Sequence, residues 1–562
     1  MGRKDRDRGH DRDGSEKSYA VYEKFYDTKR RRNGSVSSSE KYGYEEPLEI
    51  QRYIPNQSRR ASRRYSRDLD DPGRNLSQGN KRLIIACDGT WQDSNNEDLQ
   101  DGKLKPPTNV TRICRAIKSL SSSDIPQIVY YQAGPGSSNN PFDKVIGGAM
   151  GEGVAQNLRE CFSFLSNNYA PGDEIFFIGF SRGAFTARSV ASMVASLGVL
   201  TKKGLESFAV IMKDYQNRYV KGYKSPQPDC PFPNKPSAAD PEYLEQLYRY
   251  GMTIPNVGIK AIGVWDTVGS LGIPKIQWLQ SMGIQSHKMD EMKFYDTSLH
   301  PRVEYAFQVL ALDEKRSAFV PTVWELPKGS PTVLKQVWMA GEHSNIGGGW
   351  DDQNIANISL AWMISNLTPF LDFDDAYIFS EFEKNYLYYR EHKLKPRAWG
   401  FGKLYNSMEG IYALAGSDTR TPGDYTRIDP ITGESTAKFL RNTRETIHVS
   451  VRARMALKGY GVDDEGIYKP KALGGWRCEW DDYARRYKWI NKTTGVELFE
   501  MDLGPVETKL LELYPDIYDF VYGDHGEGYI DTHKQRRSVR NGVADEMHAI
   551  SSVIKGLVKI NI

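Results

Sequence analysis

The pentapeptide Gly179-Phe180-Ser181-Arg182-Gly183 has the G-x-S-x-G spacing that stands a serine hydroxyl on a sharp strand-to-helix turn. With glycine at about 9% and serine at an assumed ~7%, a chain of 562 residues yields roughly 0.3 such matches by chance, so the flanks decide. Upstream, Glu174-Ile175-Phe176-Phe177-Ile178 reads as a buried strand. Downstream, Ala184 to Leu197 has no proline, places Val190, Met193, Val194 and Leu197 at helical spacing, and is followed by Gly198 as a natural C-cap. Gly179 and Gly183 permit the strained turn and the close approach of strand to helix. The alternative is an ordinary glycine-rich strand-to-helix turn.

A serine hydroxyl is a poor nucleophile at neutral pH and needs a base oriented by an acid. In this chemistry the order along the chain is Ser, Asp or Glu, then His. Asp266 closes the run Ile262-Gly263-Val264-Trp265, and His343 follows Gln336-Val337-Trp338-Met339 within Gly341-Glu342-His343-Ser344-Asn345. Both stand just past the carboxyl end of an expected strand, where ligands collect in open α/β sheets. His448 is the rival base; Asp266 as a turn former and His343 as an ordinary loop histidine are the alternatives. Two backbone N–H groups must meet the developing oxyanion. One is expected from Arg182, the other from Gly89 or Thr90 in Asp88-Gly89-Thr90-Trp91, with the Asp88 carboxylate stabilising its own turn.

Positioning these residues requires a scaffold. Leu83 to Cys87, Gln127 to Tyr131, Glu174 to Ile178, Ile259 to Trp265 and Leu334 to Met339 read as short apolar strands. Helical patterns lie between them, with Val110, Ile113, Ala116, Ile117 and Leu120 on one and Val154, Leu158, Cys161, Phe162 and Leu165 on another; Thr108 or Asn109 caps the first. The alternation predicts an α/β fold of the α/β-hydrolase kind, a mostly parallel sheet with helices on both faces. The expected organisation is a disordered basic tail over 1–80, a catalytic domain over 81–450 with insertions near 201–256 and 371–450, and a C-terminal subdomain over 451–562. Trp476, Trp480 and Trp489 suggest a hairpin in that last part, followed by a helix around Val506–Tyr514.

Composition narrows the function classes. Net charge is +3, of which +5 lies in residues 1–80, so the remainder is near neutral and nucleic acid is not an expected partner. Five cysteines without C-x-x-C spacing argue against a disulfide framework and a thiolate zinc site, and for a reducing, cytoplasmic setting. Neither an apolar N-terminal run nor ~18 consecutive apolar residues occur, so neither a secretory signal nor a membrane span is expected. No H-E-x-x-H or comparable ligand spacing is present, and no metal or cofactor is expected. Arg59-Arg60-Ala61-Ser62 and Arg63-Arg64-Tyr65-Ser66 suit a kinase acting on Ser62 and Ser66, or form a solvated basic linker. The glycine run Gly147 to Gly153 lacks a Gly-Lys-Ser/Thr and reads as a loop before a helix. Asp313-Glu314-Lys315-Arg316 reads as a surface or helix-end ion cluster, with a substrate clamp as the alternative. Tyr377, Phe379, Phe382, Tyr386, Tyr388 and Tyr389 either pack in the core or line an acyl groove and face a membrane peripherally.

From Leu83 to Leu200 the chain resembles the catalytic domain of the type VI secretion phospholipase effector family, an α/β-hydrolase group with many fungal members. The resemblance rests on Cys87-Asp88-Gly89-Thr90-Trp91, Thr108-Asn109-Val110, Pro171-Gly172-Asp173-Glu174-Ile175 and the run Gly179 to Arg188. Further on it rests on Trp265-Asp266-Thr267-Val268-Gly269, Ala311 to Arg316 and His343-Ser344-Asn345-Ile346-Gly347-Gly348-Gly349, so that it spans about residues 81–365. It implies a Ser181–Asp266–His343 triad and a phospholipid or other lipid ester as substrate. Asn345 stands where the family pattern has Asp. The residues by themselves support only acyl transfer; the main reading is a serine hydrolase acting on acyl esters. A non-catalytic interaction scaffold on the same fold and an esterase for protein or small-molecule esters are the competing readings.

Overall fold

Short β-branched and aromatic runs form the frame of this computed structural model, which describes residues 80–89, 106–134, 150–268, 299–408, 416–429 and 435–523. Contacts divide the chain into two units, Met1–Arg74 and Asn75–Ile562, and every described residue belongs to the second. The basic tail with Ser62 and Ser66, Thr90, and Gly147 to Ala149 of the glycine run lie outside the described residues.

Seven strands make one sheet: β1 Arg82–Cys87, β2 Gln127–Gln132, β3 Glu174–Phe180, β4 Ile259–Trp265, β5 Val303–Ala311, β6 Val333–Met339 and β7 Glu445–Ile447. Their order is β7-β6-β5-β4-β3-β1-β2, and every neighbouring pair is parallel. The chain steps from β1 outward to β2 and then returns to the other side of β1 with β3. The crevice between the carboxyl ends of β1 and β3 is therefore a topological switch point, where α/β sheets bind ligands.

Both faces are covered, because the strand side chains alternate and both sets are apolar. Leu83, Ile85, Cys87, Ile175, Phe177, Ile262 and Val264 pack against α2 (Met150–Asn168) and α3 (Ser181–Leu197). Ile84, Ala86, Phe176, Ile178, Ala261 and Trp265 pack on the opposite face with Val110 and Ile113 of α1 (Asn109–Ala116) and the residues of α5 (Asn354–Leu367). Removing a side chain such as Val190, Met193 or Val194 from water is worth about 1.5–3 kcal/mol each, and all three are fully buried. The expected α/β fold is thus the observed one.

Differences lie at the edges. The helix after β1 stops at Ala116, capped at its start by the Thr108 hydroxyl, so Ile117 and Leu120 fall in isolated bridges beyond it. Strand β5 and the edge strand β7 were not apparent from the sequence pattern. The stretch 371–450 supplies β7 and α6 (Asp375–Glu391), on which Phe379, Phe382 and Tyr389 are buried in the core. Residues 201–256 carry helices at Lys202–Glu206, Phe208–Gln216 and Pro241–Arg249, closed by a two-residue pairing of Val199–Leu200 with Thr253–Ile254. Past α7 (Val449–Ala456), strands β8 (Trp476–Asp481), β9 (Arg486–Asn491) and β10 (Glu497–Phe499) form an antiparallel sheet, followed by α8 (Pro505–Leu511). Val449, Leu498, Val506 and Leu510 join the same buried cluster as Val309 and Val337 of the main sheet. Among the described residues no helix is long and apolar enough to cross a membrane.

Candidate active site

Strand β3 ends at Phe180 and α3 begins at Ser181 with no loop between them. A reversal that abrupt forces Ser181 to φ +59°, a left-handed conformation that costs an L-residue on the order of 1–3 kcal/mol. The flanking glycines carry the turn. A Cβ on Gly179 would lie 2.6 Å from the Cα of Ala184, one turn into the helix. Gly183 lies where the first turn of α3 passes the end of β1. Ser181 is buried at the switch-point crevice.

Asp266, at φ +37°, follows the last residue of β4 and is wholly buried. His343 opens the short helix α4 (His343–Gly347) after β6. Their side chains meet: His343 Nδ1 lies 2.7 Å from Asp266 Oδ2. The imidazole is held between two rings, Phe180 at 4.6 Å and the edge of Phe319 at 5.0 Å between centroids. Phe180 is the chain neighbour of Ser181, so the imidazole packs against the residue that precedes the serine. His343 Nε2 is buried without a hydrogen-bond partner among the described residues, so the Ser181–His343 bond is not formed in this conformation. Burial lowers the His343 pKa from its ordinary value, and the Asp266 bond offsets this only in part, leaving a neutral ring able to accept a proton.

Asp266 is held by a residue that no sequence motif marks. Arg420 donates from Nη1 to Asp266 Oδ1 and from Nη2 to Oδ2, each at 3.1 Å. The amide of Ala311 adds a bond to Oδ1 at 3.2 Å. Burial pushes the Asp266 carboxyl up, but the Arg420 charge and the His343 bond outweigh it and hold the group well below the usual carboxylate range. Arg420 lies in a loop with no periodicity, and nothing local in Thr419-Arg420-Thr421-Pro422 marks it.

Glu314 and Arg316 also lie elsewhere than expected. They form neither a surface cluster nor a helix-end pair but an ion pair behind His343 in which Glu314 is buried and Arg316 half-buried. Arg316 donates to both Glu314 oxygens at 2.9 and 2.7 Å, Glu314 Oε2 accepts the His343 backbone N–H at 3.3 Å, and the Arg316 guanidinium lies 3.6 Å above the Phe319 ring. The Glu342 carboxylate caps α4 by accepting the Asn345 backbone N–H, and Asn345 Oδ1 accepts the Glu342 backbone N–H. Asn345 Nδ2 donates to the Lys403 carbonyl at 2.9 Å, a bond that an Asp at this position lacks.

Gly89 flanks Ser181: a Cβ there would stand 3.4 Å from the Ser181 Cβ. Its N–H, however, donates to Asp88 Oδ1 at 2.7 Å, so an oxyanion must displace that carboxylate to use the amide. Asp88 also accepts from the hydroxyls of Thr108, Tyr131 and Thr111, binding the β1 turn to the start of α1. Arg182 is the second residue of α3, within the first turn, where N–H groups have no carbonyl one turn earlier in the helix. The rival His448 is engaged elsewhere. It caps α7, its Nδ1 lies 2.7 Å from Ser450 Oγ, and its Nε2 lies 2.9 Å from Glu507 Oε1. Among the described residues no group of three or more His, Cys, Asp or Glu side chains is arranged to hold a metal ion.

Residues 81–366, just over half of the chain, match the family model described as "T6SS, Phospholipase effector Tle1-like, catalytic domain". A Saccharomyces cerevisiae protein described as uncharacterized is 26% identical over 264 residues, covering 44% of this chain and 33% of its own length. The chain thus spans about a third of that curated relative. The crystal structure of an uncharacterized protein from Pseudomonas aeruginosa aligns at 15% identity with a TM-score of 0.26, over 55% of this chain and 47% of that one.

Proposed function

From the premise that this chain belongs to the family of Tle1-like phospholipase effector catalytic domains, we propose that it is a serine hydrolase of carboxylic esters, with phospholipids or other lipid esters as substrate. Ser181 Oγ attacks the ester carbonyl carbon while His343 Nε2 takes the hydroxyl proton. Asp266 fixes the imidazole with its proton on Nδ1 and stabilises the imidazolium that forms. The tetrahedral oxyanion is met by the Arg182 amide and by that of Gly89 once Asp88 yields it. Collapse expels the alcohol, which takes the proton from His343 Nε2 and leaves the acyl group on Ser181 Oγ. Water, deprotonated by the same nitrogen, then attacks the acyl-enzyme; the C–Oγ bond breaks, Ser181 Oγ takes the proton back from His343 Nε2, and the acid leaves.

One observation carries this reading. A buried imidazole, bonded through Nδ1 to an anionic Asp266, keeps its other nitrogen unpartnered beside the residue that precedes Ser181. A histidine serving only structure satisfies both nitrogens, as His448 does. A fluorophosphonate probe followed by peptide mapping tests it: labelling at Ser181, lost in Ser181→Ala together with acid release from p-nitrophenyl esters and phosphatidylcholine vesicles, is the expected result. A purified chain that takes no label and releases no acid is a scaffold instead.

A further inference from the structure

We propose that Arg420 is a positioning residue of this site: by gripping both oxygens of Asp266 and the carbonyl of Phe319, it makes the group facing His343 an ion pair in place of a lone carboxylate. This rests on the Ser181–Asp266–His343 reading and adds to it how the acid is held and how the base is tuned. Arg420 is itself buried, and its Nη2 bonds both to Asp266 Oδ2 at 3.1 Å and to the Phe319 carbonyl at 2.7 Å. His343 Nδ1 bonds the same oxygen, Oδ2, at 2.7 Å, so the cation and the base meet on one atom. The ring of Phe319 in turn stands edge-on to the imidazole. One guanidinium therefore ties Asp266 to the backbone of the residue whose ring walls the imidazole.

The charges around His343 can be counted element by element. Asp266 at the end of β4 faces Nδ1, and Arg420 from the loop at 416–429 lies behind it. Glu314 and Arg316, after β5, bond each other, and Glu314 accepts the His343 backbone N–H. Glu342, before α4, lies 3.6 Å from Arg316. Arg316 already offsets Glu314, so without Arg420 the Asp266 charge would act on the imidazole uncompensated. An uncompensated buried carboxylate nearby favours imidazolium and takes the base out of use at higher pH. With the cation in place, the ring stays neutral further into acid while Asp266 remains an anion in a closed environment.

The test uses the full chain and a p-nitrophenyl ester, with kcat/KM followed from about pH 5 to 9 for wild type, S181A, R420Q and R420K. Expected is an inactive S181A, and an R420Q that is folded by circular dichroism, about 10–100-fold slower at its optimum, with its acid limb displaced upward by about half a pH unit or more. R420K keeps the charge but loses the two-pronged grip, so its limb stays at the wild-type position while kcat falls. A group that merely supported the fold would lower activity or stability without moving the limb. A folded R420Q with the wild-type limb, beside an inactive S181A, overturns the proposal and leaves the serine reading intact. An S181A as active as wild type overturns both. If R420Q does not fold, R420M takes its place: an acid limb displaced upward supports the proposal, and a wild-type limb overturns it.

Discussion

Gly183 presses its bare Cα against the backbone of Cys87: a methyl group there would stand 2.2 Å from the Cys87 carbonyl oxygen and 2.3 Å from that of Asp88. Backbone cannot rotate away as a side chain does, so Gly183→Ala must push α3 off β1. Overpacking of this kind typically costs about 1–3 kcal/mol, and the loss here falls at or above the upper end. A denaturant midpoint clearly below wild type, together with lost fluorophosphonate labelling, is expected. An unchanged midpoint would show that the elbow has room to spare.

Ser181 makes a paired prediction. Its φ of +59° is costly for any residue with a Cβ and free for glycine. Ser181→Gly should therefore be more stable than Ser181→Ala by up to about 1 kcal/mol, although glycine normally loses such comparisons. Chemical denaturation of the two inactive variants side by side reads this directly, and an alanine variant that is the more stable of the pair would contradict a strained elbow.

Asp266→Asn should be costly in two ways. The amide cannot match four accepted bonds, and it leaves Arg420 buried opposite a neutral group. Breaking one side of a buried ion pair costs about 3–5 kcal/mol, and a wrong histidine tautomer lowers kcat on the order of 10⁴-fold. The folded Asp266 holds its proton less readily than the unfolded chain. Its stabilisation is therefore present at neutral pH and is lost as pH falls below about 4. The stability gap between wild type and variant should narrow over that range, as thermal melts in acid buffers would show.

Ser181, Asp266 and His343 were legible as candidates because each follows a short apolar run, and such runs carry a local signal. Other parts lacked one. In β5 the wholly buried Gln308 interrupts the apolar pattern; it is tolerated because Thr267, Gln336 and the Thr322 carbonyl satisfy its amide. Strand β7 is three residues long and begins with Glu445, whose carboxylate is held by the Trp338 indole. Arg420 meets its partner across 154 residues, and no periodicity records a contact at that range. The Glu314–Arg316 pair looks in sequence like any charged surface run; only the fold buries Glu314 and half-covers its partner.

Asn345→Asp restores the residue type expected from the family pattern and should weaken this chain. The Lys403 carbonyl loses its donor, and a new carboxylate arrives beside the buried Glu342. A buried acceptor left unmatched costs about 1–3 kcal/mol. Melting temperatures at neutral pH should fall, with recovery when Lys403 and its surroundings are probed at a pH low enough to protonate the new group. A variant as stable as wild type throughout would mean that the Lys403 carbonyl finds another partner.

Glu342 gives the last prediction, and its sign follows from charge counting. Burial first, and then the neighbouring Glu314 carboxylate, raise its pKa from 4.5 to about 7. Glu314, in contrast, is held low despite burial by its bonds to Arg316. One guanidinium thus serves one anion, and Glu342 is the carboxyl that keeps its proton. Between pH 4.5 and about 7 the unfolded chain has released that proton while the folded chain retains it, so this group's contribution falls as pH rises through the window. Glutamine imitates the neutral carboxyl and still offers an oxygen to the Trp350 indole and the Asn345 amide. Glu342→Gln should therefore lose less stability than wild type between about pH 5 and pH 8, so that the melting curves of the two diverge as the buffer becomes more alkaline. Parallel curves would place the shared proton on the other side of the pair, on Glu314, and would leave the base backed by a different charge from the one drawn here.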